Sequence, residues 1–224
     1  SADATSFTVH QTSQEVDLEL VLKASTAIAG EIRLEGLMKT LMHLVLQHAG
    51  AQRAVLLLER DGALSPTALA DVDSGVKVLE KDATTKDIPM CLPAVQYADR
   101  TQEPLVLNDA MSTEPYASDP DIRQRHVRSL MVLPLSNQGK PLGVLYLENR
   151  LASHAFTSDR AGIIRLLVGH MAIALENAYL YGQQRDTLKA ATRFVPSEFL
   201  DALGINTIRE VQLGNAVRVP MTVL

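Results

Sequence analysis

The feature that most constrains the chain is an unbroken helical pattern over residues 156–192, FTSDRAGIIRLLVGHMAIALENAYLYGQQRDTLKAAT. No proline interrupts it before Pro196, and proline inside a helix removes a hydrogen bond and clashes with the preceding turn. Thr157, Ser158 and Asp159 open it with side-chain oxygens suited to cap a helix N-terminus. Ile164, Val168, Met171, Leu175 and Ala178 then recur in alternating steps of four and three, the spacing of a coiled-coil seam. Ile163, Leu167, Ala174 and Tyr181 form a second stripe beside the first. A helix apolar on two faces has to bury both. One face is expected on the chain's own sheet and the other on a partner, although a single buried core helix meets the same pattern. After Gly182 the surface turns polar (Gln183, Gln184, Arg185, Asp186), while Leu188 and Ala191 continue a thinner seam. That suits a helix leaving its domain as a connector.

A chain of 224 residues can bury one sizeable core and carry extensions. Its formal net charge is -5 and its lysines and arginines are dispersed. Nucleic acid is therefore not expected as the main partner, since phosphate binding needs concentrated positive charge. A single cysteine, Cys91, excludes an internal disulfide and fits a reducing, cytoplasmic compartment. The polar start, SADATSFTVHQTSQ, has no signal-peptide core. The most apolar helical stretch, residues 163–175, contains Arg165 and His170 and reads as too short to span a bilayer, so no membrane segment is expected in this chain. Val223 and Leu224 fall inside a strand-like run, the mark of a piece cut from something longer.

Upstream, residues 16–30 place Leu18, Val21, Leu22, Ser25, Ile28 and Ala29 on one helical face. Residues 34–48 repeat the pattern with Leu37, Met38, Leu41, Leu44 and Val45, and Gly50 offers a C-terminal stop. The period then changes. Residues 54–58 are a short apolar run, Asp61-Gly62 is a hairpin signal, and residues 64–70 return. Residues 76–79 are a weaker strand. Residues 89–100 read as a short helix with Leu92, Val95 and Tyr97 inward, and residues 105–107 as a brief strand. Residues 108–121 read as a polar loop, long enough to suggest a function. Residues 127–135 and 141–147 read as strands around an Asn137–Lys140 turn, with Pro134 marking an edge or bulge. The order predicts an α+β fold: an antiparallel sheet of about five or six strands, with the N- and C-terminal helices together on one face.

Several stretches carry a family resemblance: EPLVLNDA, EPYASDPDI, VRSLMVLPLSNQGKPLGVLYLENRLASHAFTSDR and IALENAYLY. Over residues 16–181 the chain resembles a GAF domain, the small-molecule-sensing module of signalling proteins, as found in large bacterial hybrid proteins. The tail, RFVPSEFLDALGINTIREVQLGNAVRVPMTVL, resembles the opening of a class III adenylate/guanylate cyclase domain. In that family FVPxEFL follows a connector helix and an LGD-like turn precedes MTVLF; here Asn215 stands where aspartate is usual, and the chain stops before the first metal-binding aspartate. The resemblance implies residues 1–15 as an N-terminal segment, 16–181 as the sensory domain, 182–195 as connector and 196–224 as a truncated output domain. It implies a regulatory module acting on a nucleotide cyclase through a parallel homodimer of long helices. The alternative is a structural dimerisation module without ligand in a histidine-kinase or Ser/Thr-kinase hybrid.

The chemistry within the chain itself is sparse. No phosphate loop and no zinc spacing is present, so no metal site or cofactor is expected. His43 and His48 share a helix but lack a third ligand. Thiol-based methionine sulfoxide reduction needs several cysteines, and bilin attachment in such domains uses a cysteine followed by histidine; Cys91 is single and precedes Leu92. It reads as a small buried apolar residue. Asn149, Phe156 and Asp159 match part of a cyclic-nucleotide-binding pattern, with Arg150 in place of its lysine, and equally suit a strand exit and a helix cap. A ligand is expected between the sheet and residues 89–121, where Tyr97, Asp109, Tyr116, His126 and Ser129 are the candidate polar groups. No catalytic residue is expected, so the fragment itself should not be an enzyme.

Overall fold

The structure is a computed structural model and describes residues 34–80 and 82–194, without the side chains of Asp159 and residues 183–194. The expected helix 16–30, the side chain of Leu188 and the cyclase-like tail 196–224 lie outside the described residues. Helix α1 spans Leu34–Ala49, with Leu37, Met38, Leu41, Met42, Val45 and Ala49 buried along one face. Strands β1 (Arg53–Arg60) and β2 (Ala63–Asp71) form a hairpin. Its turn places Asp61 and Gly62 both at positive φ, 51° and 81°, as a two-residue turn matched to strand twist requires. Then come β3 (Gly75–Val78), α2 (Leu92–Thr101) and β4 (Leu105–Leu107). The stretch expected to be a loop instead contains a 3-10 turn, Tyr116–Ser118, and leads into α3, Pro120–Arg125. The pattern is too short for periodicity to register, and the signal lies in Asp119-Pro120, a cap followed by a proline at the first turn. Strands β5 (Ser129–Asn137) and β6 (Lys140–Asn149) close the sheet, and α4 spans Ser158–Phe194.

The six strands lie in the order β3-β2-β1-β6-β5-β4, every neighbouring pair antiparallel. Pro134 pairs with Val144 on one side, while β4 reaches only Leu130–Val132 on the other. Its missing N–H therefore faces no ladder partner, which is where a strand tolerates proline. Gly143 is fixed by space: a Cβ there would lie 2.1 Å from the Leu57 carbonyl oxygen.

Alternation sends successive residues of the central strands to opposite faces. One face, with Leu56, Leu145, Leu147, Met131 and Leu133, is covered by α1 and the first part of α4. Ile164, Val168, Met171 and Leu175 are 0–6% exposed in that core, and Ala178 packs partly against it. This corrects the expected dimer seam: the four-three spacing serves the chain's own sheet, because a sheet-covering helix needs the same stripe. The second stripe is divided. Leu167 packs with Leu44 and Ile163, whereas Tyr181 is exposed. Up to Ala178, the large apolar side chains that this helix leaves exposed are Leu166 (55% exposed) and Ile173 (47%), seven residues apart.

Residues 160–182 are, by length and composition, apolar enough to cross a membrane. The short stretch 163–175 is thus part of a longer apolar run, some of it buried on the sheet and some, at Leu166 and Ile173, exposed. The chain divides into two compact units, Ser1–Ala178 and Tyr179–Leu224, and the packing described belongs to the first.

Candidate functional site: a charged cluster under short helices

The second face of the sheet carries Val55 and Leu57 from β1, Val144 and Tyr146 from β6, and Leu130 and Val132 from β5. Met90, Cys91, Ala94, Val95, Ala98, Ile122 and Val127 pack onto them from α2, α3 and the adjoining loops. At one end the alternation runs into charge. Arg53 continues the Val55–Leu57 face, Glu148 continues the Val144–Tyr146 face, and the two are direct cross-strand partners.

Glu148 is fully buried. Its Oε1 accepts from Arg125 Nη2 at 2.5 Å, and its Oε2 lies 3.5 Å from Arg53 Nη1. The Tyr146 hydroxyl donates to Oε2 at 3.2 Å and itself accepts from the Cys91 N–H at 3.4 Å. Arg53 Nη1 donates to the Pro89 carbonyl at 2.8 Å. The cluster thus ties the two central strands to residues 89–91 and to α3. Such a group is stable only when paired and hydrogen-bonded, since a lone buried charge is costly.

Local sequence places Arg125. Asp119 caps α3, accepting from the N–H groups of Asp121 and Ile122, and Pro120 occupies the first turn. His126 ends the helix in the left-handed conformation, φ 54°, and Ile122 anchors it with no exposure. Asp121 Oδ2 accepts from the Met90 N–H at 3.3 Å, joining α3 to the segment before α2.

Burial lowers the Arg53 pKa despite the attraction of Glu148. Burial also opposes the charge on Arg125, but the hydrogen bond and charge of Glu148 outweigh it and raise the pKa. Both remain guanidinium ions at neutral pH. Burial, then Glu148, pushes the Tyr146 hydroxyl well above its ordinary value. Burial pushes the Cys91 thiol up to about 12, so it is a thiol and not a nucleophilic thiolate.

Of the five expected pocket residues, Tyr97 and Tyr116 are neighbours, and the other three have separate local partners. Tyr116 is half-buried against this face, its hydroxyl pKa raised by burial and by the neighbouring Cys91 and Tyr97. Tyr97 is on the flank of α2, donating to exposed Glu103 at 3.4 Å; Ala94, Val95 and Ala98 supply the inward face instead. Asp109 is a turn residue, accepting from the Ser112 hydroxyl. His126 is an exposed helix end. Ser129 is buried and donates to the Ala152 carbonyl at 3.0 Å, fastening the start of β5 to the loop after β6. Asn149 is a strand exit, with Oδ1 accepting from the N–H groups of Leu151 and Ala152 and Nδ2 donating to the Gly50 carbonyl. Phe156 is buried on the first face. These two serve structure, and neither touches the charged cluster. A surface crevice of about 350 Å³ beside β4 is lined by Asn108, His154, Phe156 and Arg165, none of them among the five. Among the described residues no three metal-ligating side chains come together.

Sequence reasoning missed Arg53, Arg125, Tyr146 and Glu148. The signal was available for two of them: charges of opposite sign stand in phase with apolar strand positions that alternation buries.

The fold is a small α+β module, an open antiparallel sheet with helices on both faces. The family profile of the GAF domain matches residues 33–175, and the chain belongs to that family. A 102-residue stretch is 33% identical to hybrid signal transduction histidine kinase G of Dictyostelium discoideum, covering 46% of this chain and 3% of that protein. Over 189 residues it is 23% identical to the peroxide stress-activated histidine kinase mak3 of Schizosaccharomyces pombe, covering 82% of this chain and 8% of that protein. The chain therefore spans a small fraction of either relative. Among solved structures, the GAF domain of a phosphoenolpyruvate-protein phosphotransferase from Coxiella burnetii is similar at TM-score 0.58 and 18% identity, covering 75% of this chain and 96% of that one. The GAF domain of a two-component sensor histidine kinase from Bacillus halodurans is similar at TM-score 0.51 and 15% identity, covering 68% and 99%.

Proposed function

We propose that this GAF domain is the regulatory module of a cytoplasmic histidine-kinase-type signalling protein, and that α4 carries its conformational state toward the output as one of two parallel helices in a homodimer. The observation that carries the reading is α4 itself. It is a 37-residue helix, and among its described side chains the buried ones end at Leu175. A helix rooted in a sensory core can pass a shift in packing to the segment that follows it. The kinase output is favoured by the two histidine-kinase relatives.

A second reading, a nucleotide-cyclase output, is favoured by the tail, where FVPSEFL and MTVL resemble a cyclase opening. Incubating the purified parent protein with labelled ATP separates the two. Phosphate retained on a histidine supports the kinase reading, and metal-dependent formation of cyclic nucleotide overturns it in favour of the cyclase. The fragment alone should do neither, since its described residues hold no catalytic constellation.

A further inference from the structure

We propose that the Arg53–Glu148–Arg125 cluster is the anchoring point for a ligand bearing a carboxylate, which takes the place of Glu148 on Arg125. The inference rests on the reading of the domain as sensory and names the chemistry its ligand must carry.

The first observation is an unfilled hydrogen-bonding edge. A guanidinium presents Nε–H and one Nη–H side by side to the two oxygens of a carboxylate. Arg125 Nη2 meets Glu148 Oε1 at 2.5 Å, but Arg125 Nε is buried without an acceptor. Glu148 cannot supply its second oxygen, because Oε2 is turned to Arg53 and the Tyr146 hydroxyl. A buried donor left unpaired is costly and calls for an acceptor.

The second is charge. Two guanidinium ions face one carboxylate inside the cluster. Asp121, engaged by the Met90 N–H at the rim beside Arg125, and Asp71 near Arg53 offset that excess. That favours a singly charged oxyanion over a doubly charged phosphate. The exchange leaves no charge alone: Glu148 keeps Arg53 and Tyr146, and Arg125 gains two oxygens from the ligand.

The third is position. Arg125 is the last residue of the six-residue α3, whereas Arg53 and Glu148 are fixed in central strands. Releasing Arg125 from Glu148 therefore frees a short covering helix and leaves the sheet intact. A carboxylate that binds the released form better shifts the domain toward it, by its differential affinity for the two arrangements. Coupling to α4 then passes through β6, whose opposite face, at Leu145 and Leu147, belongs to the core that α4 covers.

Acetate is the probe. It is titrated into the full 224-residue chain at constant ionic strength, with chloride as the balancing ion. The arginine Nε–H signals are followed by ¹H–¹⁵N NMR, and that of Arg125 is assigned by its loss in Arg125→Lys. A saturable shift of this signal is expected, and its absence overturns the proposal. Glu148→Gln removes the competing carboxylate, so acetate should bind it about tenfold more tightly or better and restore part of its lost melting temperature. A cluster with only a structural role gives no such restoration. Arg125→Lys in the Glu148→Gln background should abolish both effects. Should Glu148→Gln not fold, the wild-type titration decides alone. Acetate binding that leaves the parent protein's output unchanged would sink the sensory reading and keep the site; an output that responds to other ligands while acetate does not bind would do the reverse.

Discussion

The two faces of the sheet are built from the same strands and differ in what covers them. On one face, α1 and α4 lay apolar stripes over Leu56, Leu145 and Met131, and among the described residues the two buried charged side chains, Arg53 and Glu148, lie on the other face. On the other, the cover comes in pieces of ten, three and six residues, and the core ends in two arginines and a glutamate. A long helix satisfies its own backbone and brings a ready apolar stripe. Short helices bring many unpaired ends, and the cluster absorbs several: the Pro89 carbonyl, the Cys91 N–H and, through Asp121, the Met90 N–H. The cover of the charged face is therefore held by separate polar ties, and that of the dry face by continuous apolar contact.

The contrast is tested hardest at Glu148. Glu148→Ala leaves buried Arg53 and half-buried Arg125 without their carboxylate and should cost about 3–5 kcal/mol, measured by urea unfolding. A loss below about 1 kcal/mol, the scale of an exposed ion pair, would mean the cluster is solvated and the faces are alike. Leu41→Ala, on the dry face, should cost about 2–5 kcal/mol by transfer and cavity terms. Its loss should not depend on salt, because no charge is involved.

Between those extremes lies the cap of α3. Asp119→Ala removes the acceptor for the Asp121 and Ile122 N–H groups and should cost about 1 kcal/mol. Hydrogen exchange should speed up at residues 120–127 while β1 and β6 stay protected. Uniform acceleration across the sheet would show that the short cover is not a separable unit.

The dry face was legible in the sequence because a long helix repeats its pattern enough times to be read. Ile164, Val168, Met171 and Leu175 stand out by spacing alone. The spacing does not say what they pack against, since a sheet and a second helix ask for the same stripe. Both faces of β1, β5 and β6 are apolar, so the strands read as runs and their alternation was hidden except at Arg53 and Glu148. The charged face was illegible for another reason. Arg125 reaches Glu148 across 23 residues of sequence separation, and α3 is too short to show a period. Residue type drew attention instead to Asp109, His126 and Ser129, each of which closes a local turn, helix end or loop.

The smallest expected effect on stability belongs to the outward face of α4, and it bears on whether two chains associate. Leu166 and Ile173 are seven residues apart and half exposed, while Gly162 and Gly169, also seven apart, have open space where a Cβ would stand. Side chains repeating every seven residues keep to one line along a supercoiled helix, and outward glycines let a second helix approach closely. A polar side chain on that line would leave each chain's own core untouched. The double substitution Leu166→Gln with Ile173→Gln should change the unfolding free energy of the isolated fold by no more than about 0.5 kcal/mol, yet shift a dimer to monomer in sedimentation equilibrium. Orientation is separable from association. In a parallel pair the two copies of residue 166 meet across the axis, so Leu166→Cys should form an intermolecular disulfide on mild oxidation, and buried Cys91 gives no competing thiolate. An antiparallel pair would set residue 166 against a different position and give no such link. A wild-type chain that stays monomeric at high concentration would remove the dimer altogether, and with it the means by which α4 could deliver a signal to a paired output.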